Sequence, residues 1–330
     1  MTTVSVIATV LNEGESIRKL MDSLVAQTRQ PDEIVIVDGG STDNTVAVIE
    51  GYQNRLPLRV IVSAGANISE GRNIAIRTAK NEIIASTDAG VRLSPQWLEK
   101  LIAPFEQPNP PQVVAGFFEP DTDTVFEIAM GATVLPELRD INPDTFLPSS
   151  RSVAFRKSAW EAVNGYPEWL DFCEDLIFDL NLKTHAGKFA FAPEAVAYFK
   201  PRTSLKAFFK QYYRYARGDG KADLWRKRHA IRYGTYLIGV PLLGWLFFAG
   251  FRVWAIVAGA LGAVGMFATA YRRLQHAWNP LSPAEKIQAA LWIPVIRITG
   301  DVAKMLGYPA GWVWRLQRLN TDSRLRWRQK

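Results

Sequence analysis

The chain has 330 residues, enough for one large or two ordinary domains, and its net charge of +7 hides a split. Residues 1–200 carry 17 Lys and Arg against 27 Asp and Glu, whereas residues 201–330 carry 22 against 5, so the two parts face different surroundings. A lone cysteine, Cys173, excludes an intrachain disulfide, and three widely spaced histidines (His185, His229, His276) give no metal-ligand pattern and little support for a histidine triad.

Residues 4–10 read as a strand; no basic start followed by a long apolar run precedes them, so no signal peptide is expected. Ile17, Leu20, Met21, Leu24 and Val25 then share one helical face. The β-branched run Ile34-Val35-Ile36-Val37 has the pattern of a strand buried on both faces. It ends on Asp38 and breaks into Gly39-Gly40-Ser41-Thr42-Asp43. Ligands of open α/β sheets bind beyond the carboxyl ends of such strands. Asp38 is therefore either an acid that recognises a donor-rich ligand, such as a nucleoside, or a cap on the turn. Asp43 is placed to cap a helix carrying Val46 and Ile49. A strand over 59–63, a helix over 69–80 and a strand over 83–86 follow. Ser94-Pro95 reads as cap and first-turn proline of a helix whose buried face is Trp97, Leu98, Leu101, Ile102 and Phe105. This alternation predicts a doubly wound parallel sheet. Beyond the proline-rich break at 108–111 the pattern is mixed. It gives strands over 113–118, 152–155, 189–192 and 195–199, with helices over 159–163 and 174–183.

From residue 205 the character changes. Leu205, Phe208, Phe209, Tyr212 and Ala216 form an apolar stripe beside a basic side of Lys206, Lys210, Arg214 and Arg217. Such a helix lies in a membrane interface or packs on its own domain. Segments 233–251 and 253–271 are free of charge. At 19 residues each they are long enough for a hydrocarbon core of about 30 Å. Arg226, Lys227, Arg228 and Arg232 precede the pair, Arg252 divides it, and Arg272 and Arg273 follow. Positive charge at both outer ends predicts a hairpin with both ends cytoplasmic; two buried helices of a soluble domain are the alternative. Gly259, Gly262 and Gly265 suit close helix packing. Segment 289–313 is apolar but interrupted by Arg297, Asp301 and Lys304, which predicts a surface-lying or partly inserted helix, or a third span. Arg297 and Asp301, four apart, are placed to pair. A basic tail follows, suited to anionic lipid. Nucleic-acid binding by the basic part competes with this reading, but the uncharged runs favour membrane.

Thr9, Glu13, Asp38, Arg72, Asn73 and Asp88 all fall at strand ends, in the loops beyond them or at helix starts, so the fold predicts that they converge at one sheet edge. Two acids and an arginine near one crevice suit a nucleoside diphosphate, with carboxylates on base or ribose and the guanidinium on phosphate. No Gly-x-Gly-x-x-Gly follows a strand and no Walker Gly-Lys-Ser/Thr occurs, which argues against dinucleotide and P-loop sites. Glu174-Asp175 opens a helix. The pair either favours the helix dipole or supplies a carboxylate base, which a transferase without a catalytic histidine requires.

The order and spacing of Ser5-Val6-Ile7-Ala8-Thr9-Val10-Leu11-Asn12-Glu13, Asp38-Gly39-Gly40-Ser41-Thr42-Asp43-Asn44-Thr45, Gly71-Arg72-Asn73, Asp88-Ala89-Gly90, Glu174-Asp175 and Gln211-Tyr212-Tyr213-Arg214-Tyr215 are specific. Over about its first two-thirds the chain resembles the family 2 glycosyltransferases. The resemblance implies an α/β GT-A fold, a Rossmann-like nucleotide-diphospho-sugar domain, followed here by C-terminal membrane helices. It implies sugar transfer from a nucleotide donor, usually with inversion. Thr9, Glu13 and Asp38 would hold the nucleoside, with Arg72 and Asn73 beside them, and Asp88 would sit by the ribose and a metal–diphosphate. Asp175, next to Glu174, would be the base. Gln211 and Arg214 match a Gln-x-x-Arg-Trp element near the diphosphate and acceptor, with Tyr215 in place of tryptophan. Gly90 replaces the second acid of the usual Asp-x-Asp, so Mg²⁺ or Mn²⁺ would bind through Asp88, diphosphate oxygens and water.

The expected organisation is a catalytic domain over 1–203, a basic interfacial helix and linker over 204–232, a transmembrane hairpin over 233–271, and a partly inserted helix with a basic tail over 272–330. The expected partners are a nucleotide-sugar donor, a lipid or lipid-linked acceptor and the cytoplasmic membrane, with no nucleic acid. The catalytic domain and C-terminus would face the cytoplasm. The alternative is a catalytically silent, nucleotide-sugar-binding membrane protein that recruits partners.

Overall fold

A computed structural model describes residues 2–329; Lys330, the end of the basic tail, lies outside them. The chain divides into two units, Met1–Asp121 with Glu137–Lys200, and Thr122–Pro136 with Pro201–Lys330. Residues 122–136, within the expected catalytic domain, thus group with the C-terminal helices.

The first unit is built on an eight-stranded sheet of order β3-β2-β1-β4-β7-β6-β8-β5. Its strands are β1 (Val4–Val10), β2 (Glu33–Asp38), β3 (Leu58–Val62), β4 (Ile83–Ser86), β5 (Val91–Leu93), β6 (Val113–Pro120), β7 (Val153–Arg156) and β8 (Ala190–Phe199). The first four are mutually parallel, as the alternation predicts. β7 runs antiparallel to both β4 and β6. β8 is one strand rather than two, with a register shift opposite Ala115–Phe117. The helices of this unit are α1 (Arg18–Val25), α2 (Thr45–Glu50), α3 (Ile68–Thr78), α4 (Trp97–Ile102), α6 (Lys157–Ala162) and α7 (Glu174–Ala186); α5 (Val125–Val134) belongs to the second unit.

All six residues of β2 are buried, as its unbroken apolar run demands. Ile34 and Ile36 enter the layer of Leu20, Leu24 and Trp97, while Val35 and Val37 enter the opposite layer with Ile76, Phe155 and Phe178. Two of the expected caps differ. Asp43 Oδ1 does accept the Thr45 amide at 3.0 Å, but Asn44 occupies the cap position of α2. Ser94 does not cap α4: the helix starts at Trp97 after Gln96, and Ser94 Oγ is buried without a partner.

The second unit comprises α5, α8 (Leu205–Ala222), α9 (Arg226–Gly234), a π-helical turn at Thr235–Gly239, α10 (Val240–Phe248), α11 (Arg252–His276) and α12 (Pro283–Arg318). Its core gathers Met130, Phe208, Leu274, Ala289, Ile293 and Ile296. The apolar stripe of α8 is therefore used for packing within its own unit: Phe208 and Ala216 are buried, and Phe208 meets Gly300 of α12. Segment 289–313 lies within one long helix that carries Pro294 and Pro309. Arg297 and Asp301 pair as expected at 3.2 Å, and Arg232 reaches the same carboxylate at 2.7 Å.

Two helical stretches, Arg226–Phe248 and Arg252–His276, are long and apolar enough to cross a membrane. Between them Phe251 N–H donates to Leu246 C=O, and Gly250 takes φ +97°, the left-handed position of a Schellman stop. Large apolar side chains on this hairpin face outward, with Phe248 86% and Trp254 71% exposed. An apolar surface of this extent marks a membrane or partner contact.

Candidate active site

The carboxyl ends of the parallel strands carry the site. Val10 pairs with Asp38 across β1 and β2, and the Thr87 amide closes on Ile7 C=O at 3.0 Å, which sets Thr87-Asp88 just past the end of β4 and beside β1. Above this edge lies α3, entered through a capping box between Asn67 and Glu70. Gly71 lets α3 approach β1: a Cβ there would lie 2.8 Å from Thr9 Cγ2. The close fit delivers the next residue, Arg72, into the sheet edge.

Arg72 is 2% exposed and forks between two acids. Its Nη2 donates to Asp88 Oδ1 and its Nη1 to Glu174 Oε1, both at 2.8 Å. The guanidinium lies over the Tyr166 ring, 5.2 Å from its centroid. Burial alone would weaken its hold on the proton, but the two carboxylates outweigh that and keep it firmly charged. Glu174 is pushed the other way: burial and then Asp175 raise its pKa, with Arg72 opposing. Asp179, one turn after Asp175, is buried with Oδ2 unpartnered. Its pKa is raised well above the carboxylate range by burial and then by Asp175. Asp175 itself is half-buried, and its Oδ1 accepts the Leu176 amide at 2.8 Å.

The structure thus joins Asp88 to Glu174 through Arg72 and sets Asp175 beside them. The other expected residues of the first unit take no part in the ion pairs of that strut. Asp38 is buried at the end of β2, two strands from β4 and so about 10 Å away. Its carboxylate accepts the Gly40 and Ser41 amides at 3.0 and 2.9 Å and the Ser41 hydroxyl, so it shapes its own loop. Thr9 is half-buried against Gly71, and Glu13 accepts the Ser16 hydroxyl at 3.1 Å. Asn73 is fully used: Nδ2 donates to Tyr166 C=O and Glu168 Oε1, and Oδ1 accepts from Trp160 Nε1 and the Tyr166 amide. It fastens the segment leading to α7 rather than presenting its amide to a ligand. Gln211 and Arg214 lie on α8 in the second unit, where Gln211 Nε2 donates to the Tyr215 hydroxyl at 2.8 Å.

Three neighbours of the site went unread in the sequence: Arg151, Tyr166 and Asp179. Arg151 Nε lies 3.6 Å from Asp88 Oδ2. It precedes β7, and because β7 runs antiparallel to β4, with Val153 opposite Ser86, its start sits where β4 ends. The strand was legible; its direction was not.

A family model for glycosyl transferase family group 2 matches residues 88–292, and one for glycosyl transferase family 2 matches residues 5–160. The chain belongs to the family 2 glycosyl transferases. This family member is 23% identical over 227 residues to the O-antigen chain rhamnosyltransferase RfbN of Salmonella typhimurium, covering 64% of this chain and 70% of the relative. It is 31% identical over 116 residues to validoxylamine A glucosyltransferase of Streptomyces hygroscopicus, covering 34% of this chain and only 26% of that relative. Among solved structures it resembles the mannosyltransferase PcManGT of Pyrobaculum calidifontis in complex with GDP-Man and Mn²⁺, with TM-score 0.54, 18% identity and coverage of 92% and 86%. It also resembles S. aureus TarS 1-349 in complex with UDP-GlcNAc, with TM-score 0.52, 19% identity and coverage of 96% and 92%. These likenesses establish the GT-A fold.

The side chains around Asp88 are a poor fit for a metal ion held by protein. Asp88 is the single carboxylate that the Asp-x-Asp position retains, and both its oxygens face guanidinium groups. A Cβ on Gly90 would meet nothing within 4 Å. Among the described residues no three His, Cys, Asp or Glu side chains gather to hold a metal.

Proposed function

We propose that this chain is an inverting glycosyltransferase that moves a sugar from a nucleoside diphosphate donor to a membrane-associated acceptor, with Asp175 as general base. The observation that carries the reading is the Arg72 strut, which fixes an acid at the donor edge, Asp88, to the helix start that bears Glu174 and Asp175. In this reading Glu174 is engaged by Arg72, and Asp175 is the neighbouring carboxylate left to take a proton. As the acceptor oxygen attacks the anomeric carbon, Asp175 accepts the hydroxyl proton. The bond from that carbon to the diphosphate oxygen breaks, and the nucleoside diphosphate leaves with the electron pair. Attack opposite the leaving group inverts the anomeric centre. Thr9, Glu13 and the Asp38 loop would border the nucleoside, and the roles that the family resemblance gives Gln211 and Arg214 belong to the same proposal. The outward apolar hairpin supports anchoring in a membrane, and the positive charge at its two outer ends supports a cytoplasmic site. Anchoring of this kind favours a lipid or lipid-linked acceptor over a soluble one.

The test is a panel of labelled nucleotide sugars with membranes containing the full chain, followed by mass analysis of the lipid extract. The Asp175→Asn variant should lose transfer by about 10²–10⁴-fold while keeping nucleotide binding. Near-normal transfer by that variant overturns the base assignment. A product with retained anomeric configuration overturns the single displacement.

A further inference from the structure

We infer that Arg151 supplies the positive charge which grips the donor diphosphate at the position where the family resemblance would place a metal ion. The inference rests on the nucleotide-donor reading and adds the cation to it. A diphosphate arriving beside Asp88 needs compensating charge, and Gly90 withholds the second carboxylate that would anchor a divalent ion. Two guanidinium groups stand there instead, and they differ in kind. Arg72 is sealed, its charge matched by Asp88 and Glu174. Arg151 keeps 23% of its side chain exposed, and its Nε stands 3.6 Å from Asp88 Oδ2, an ion pair too long for a hydrogen bond. It can transfer to a phosphate oxygen without leaving Asp88 uncompensated, because Arg72 retains the other carboxylate oxygen at 2.8 Å.

Arg151 is also held in a fixed attitude. Its guanidinium lies 4.4 Å from the Phe199 ring centroid and 5.9 Å from that of Phe118. Nη1 donates to Ser149 Oγ at 3.0 Å. Stacking on aromatic faces fixes the planar fork that suits bidentate contact with phosphate. Its place at the start of β7, antiparallel to β4, puts it at the carboxyl edge where the sheet binds ligands.

The experiment is calorimetric titration of the full chain in detergent micelles with UDP, GDP and dTDP, each in EDTA and again in Mn²⁺. At least one nucleotide should bind in EDTA, with Mn²⁺ tightening it by less than about threefold. Arg151→Ala should weaken that binding by at least about tenfold, the loss of a charge-assisted contact, and Arg151→Lys should recover part of it. Should Arg151→Ala not fold, Arg151→Gln carries the same comparison. Binding that appears only with Mn²⁺ overturns the inference and leaves the donor reading standing, and so does binding in EDTA that ignores Arg151. Failure of every nucleotide in both buffers overturns the donor reading and the inference with it.

Discussion

Arg72 Nη1 sits 2.8 Å from Glu174 Oε1, 102 residues away in sequence, while Nη2 of the same group sits 2.8 Å from Asp88 Oδ1. One planar fork therefore ties the end of β4 to the start of α7, a geometry that a lysine's single ammonium cannot copy. Arg72→Ala should destabilise the fold by about 3–5 kcal/mol, because Glu174 keeps its burial and loses its countercharge. Arg72→Lys should fall between that variant and the parent. Thermal unfolding of the full chain in micelles reads both, and an unchanged midpoint for Arg72→Ala would refute the strut.

The approach of α3 to β1 makes a second, sharper test. Alanine in place of an interior helical glycine ordinarily gains about 0.5–1 kcal/mol. At Gly71 the new Cβ would press on Thr9 Cγ2 at 2.8 Å. Gly71→Ala should instead cost about 1–3 kcal/mol, the usual penalty of overpacking. Thr9→Ser deletes that methyl, so in the Thr9→Ser background most of the penalty should vanish. A double-mutant cycle on melting midpoints measures the coupling, and a value near zero would place the constraint on Gly71 elsewhere.

Much of this arrangement was legible because the parallel half of the sheet obeys simple periodicity. β1 runs Val4–Val10 and β4 runs Ile83–Ser86, where the apolar runs begin and end, and the acids that follow such strands must fall at one edge. What escaped depends on direction and on long-range choice. Arg151 reaches Asp88 because β7 is antiparallel, which no local pattern states. The acids that engage Arg72, Asp88 and Glu174, lie far apart in sequence and meet it only in the fold, so the strut itself was not legible. α5 escaped because its burial is spread around the helix, from Glu127 through Ala129 to Thr133, rather than confined to one stripe. The two short strands expected over 189–192 and 195–199 are one, because β8 continues through Pro193 at an irregular register that no local pattern states.

The buried acids set a direction for stability against pH. Burial, then Asp175, lift Glu174 to about 7, against the opposing pull of Arg72. Asp179 moves the same way, by burial and then Asp175. Both carboxyls release their protons at higher pH in the folded chain than in the unfolded one. Their contribution is therefore fully present below the ordinary carboxylate range and is lost as pH rises through the folded values. The apparent melting midpoint should fall as pH climbs from about 5 to about 8, at about 2–4 °C for each kcal/mol lost. Glu174→Gln removes one titrating group and should flatten that decline. Superimposable profiles for parent and variant would show that Glu174 does not titrate differently on folding.

The second unit offers a prediction independent of any chemistry. α12 lies against α8 along Gly307 and Gly311, where an added Cβ would strike the main-chain carbonyls of Tyr213 and Arg217. Backbone cannot yield as a flexible side chain does, so the helices would have to separate. That would strip packing from the neighbouring core of Phe208, Ile293 and Ile296. Gly307→Ala and Gly311→Ala should each cost about 1–3 kcal/mol, despite alanine's better helix propensity. On α11 a Cβ at Gly262 would meet nothing within 4 Å, so Gly262→Ala is the matched control and should be neutral or mildly stabilising. Melting midpoints of the three variants in one detergent decide the matter. Equal midpoints for Gly311→Ala and Gly262→Ala would mean that α8 and α12 are not seated on glycine, and that the long helix is held by its flanking side chains alone.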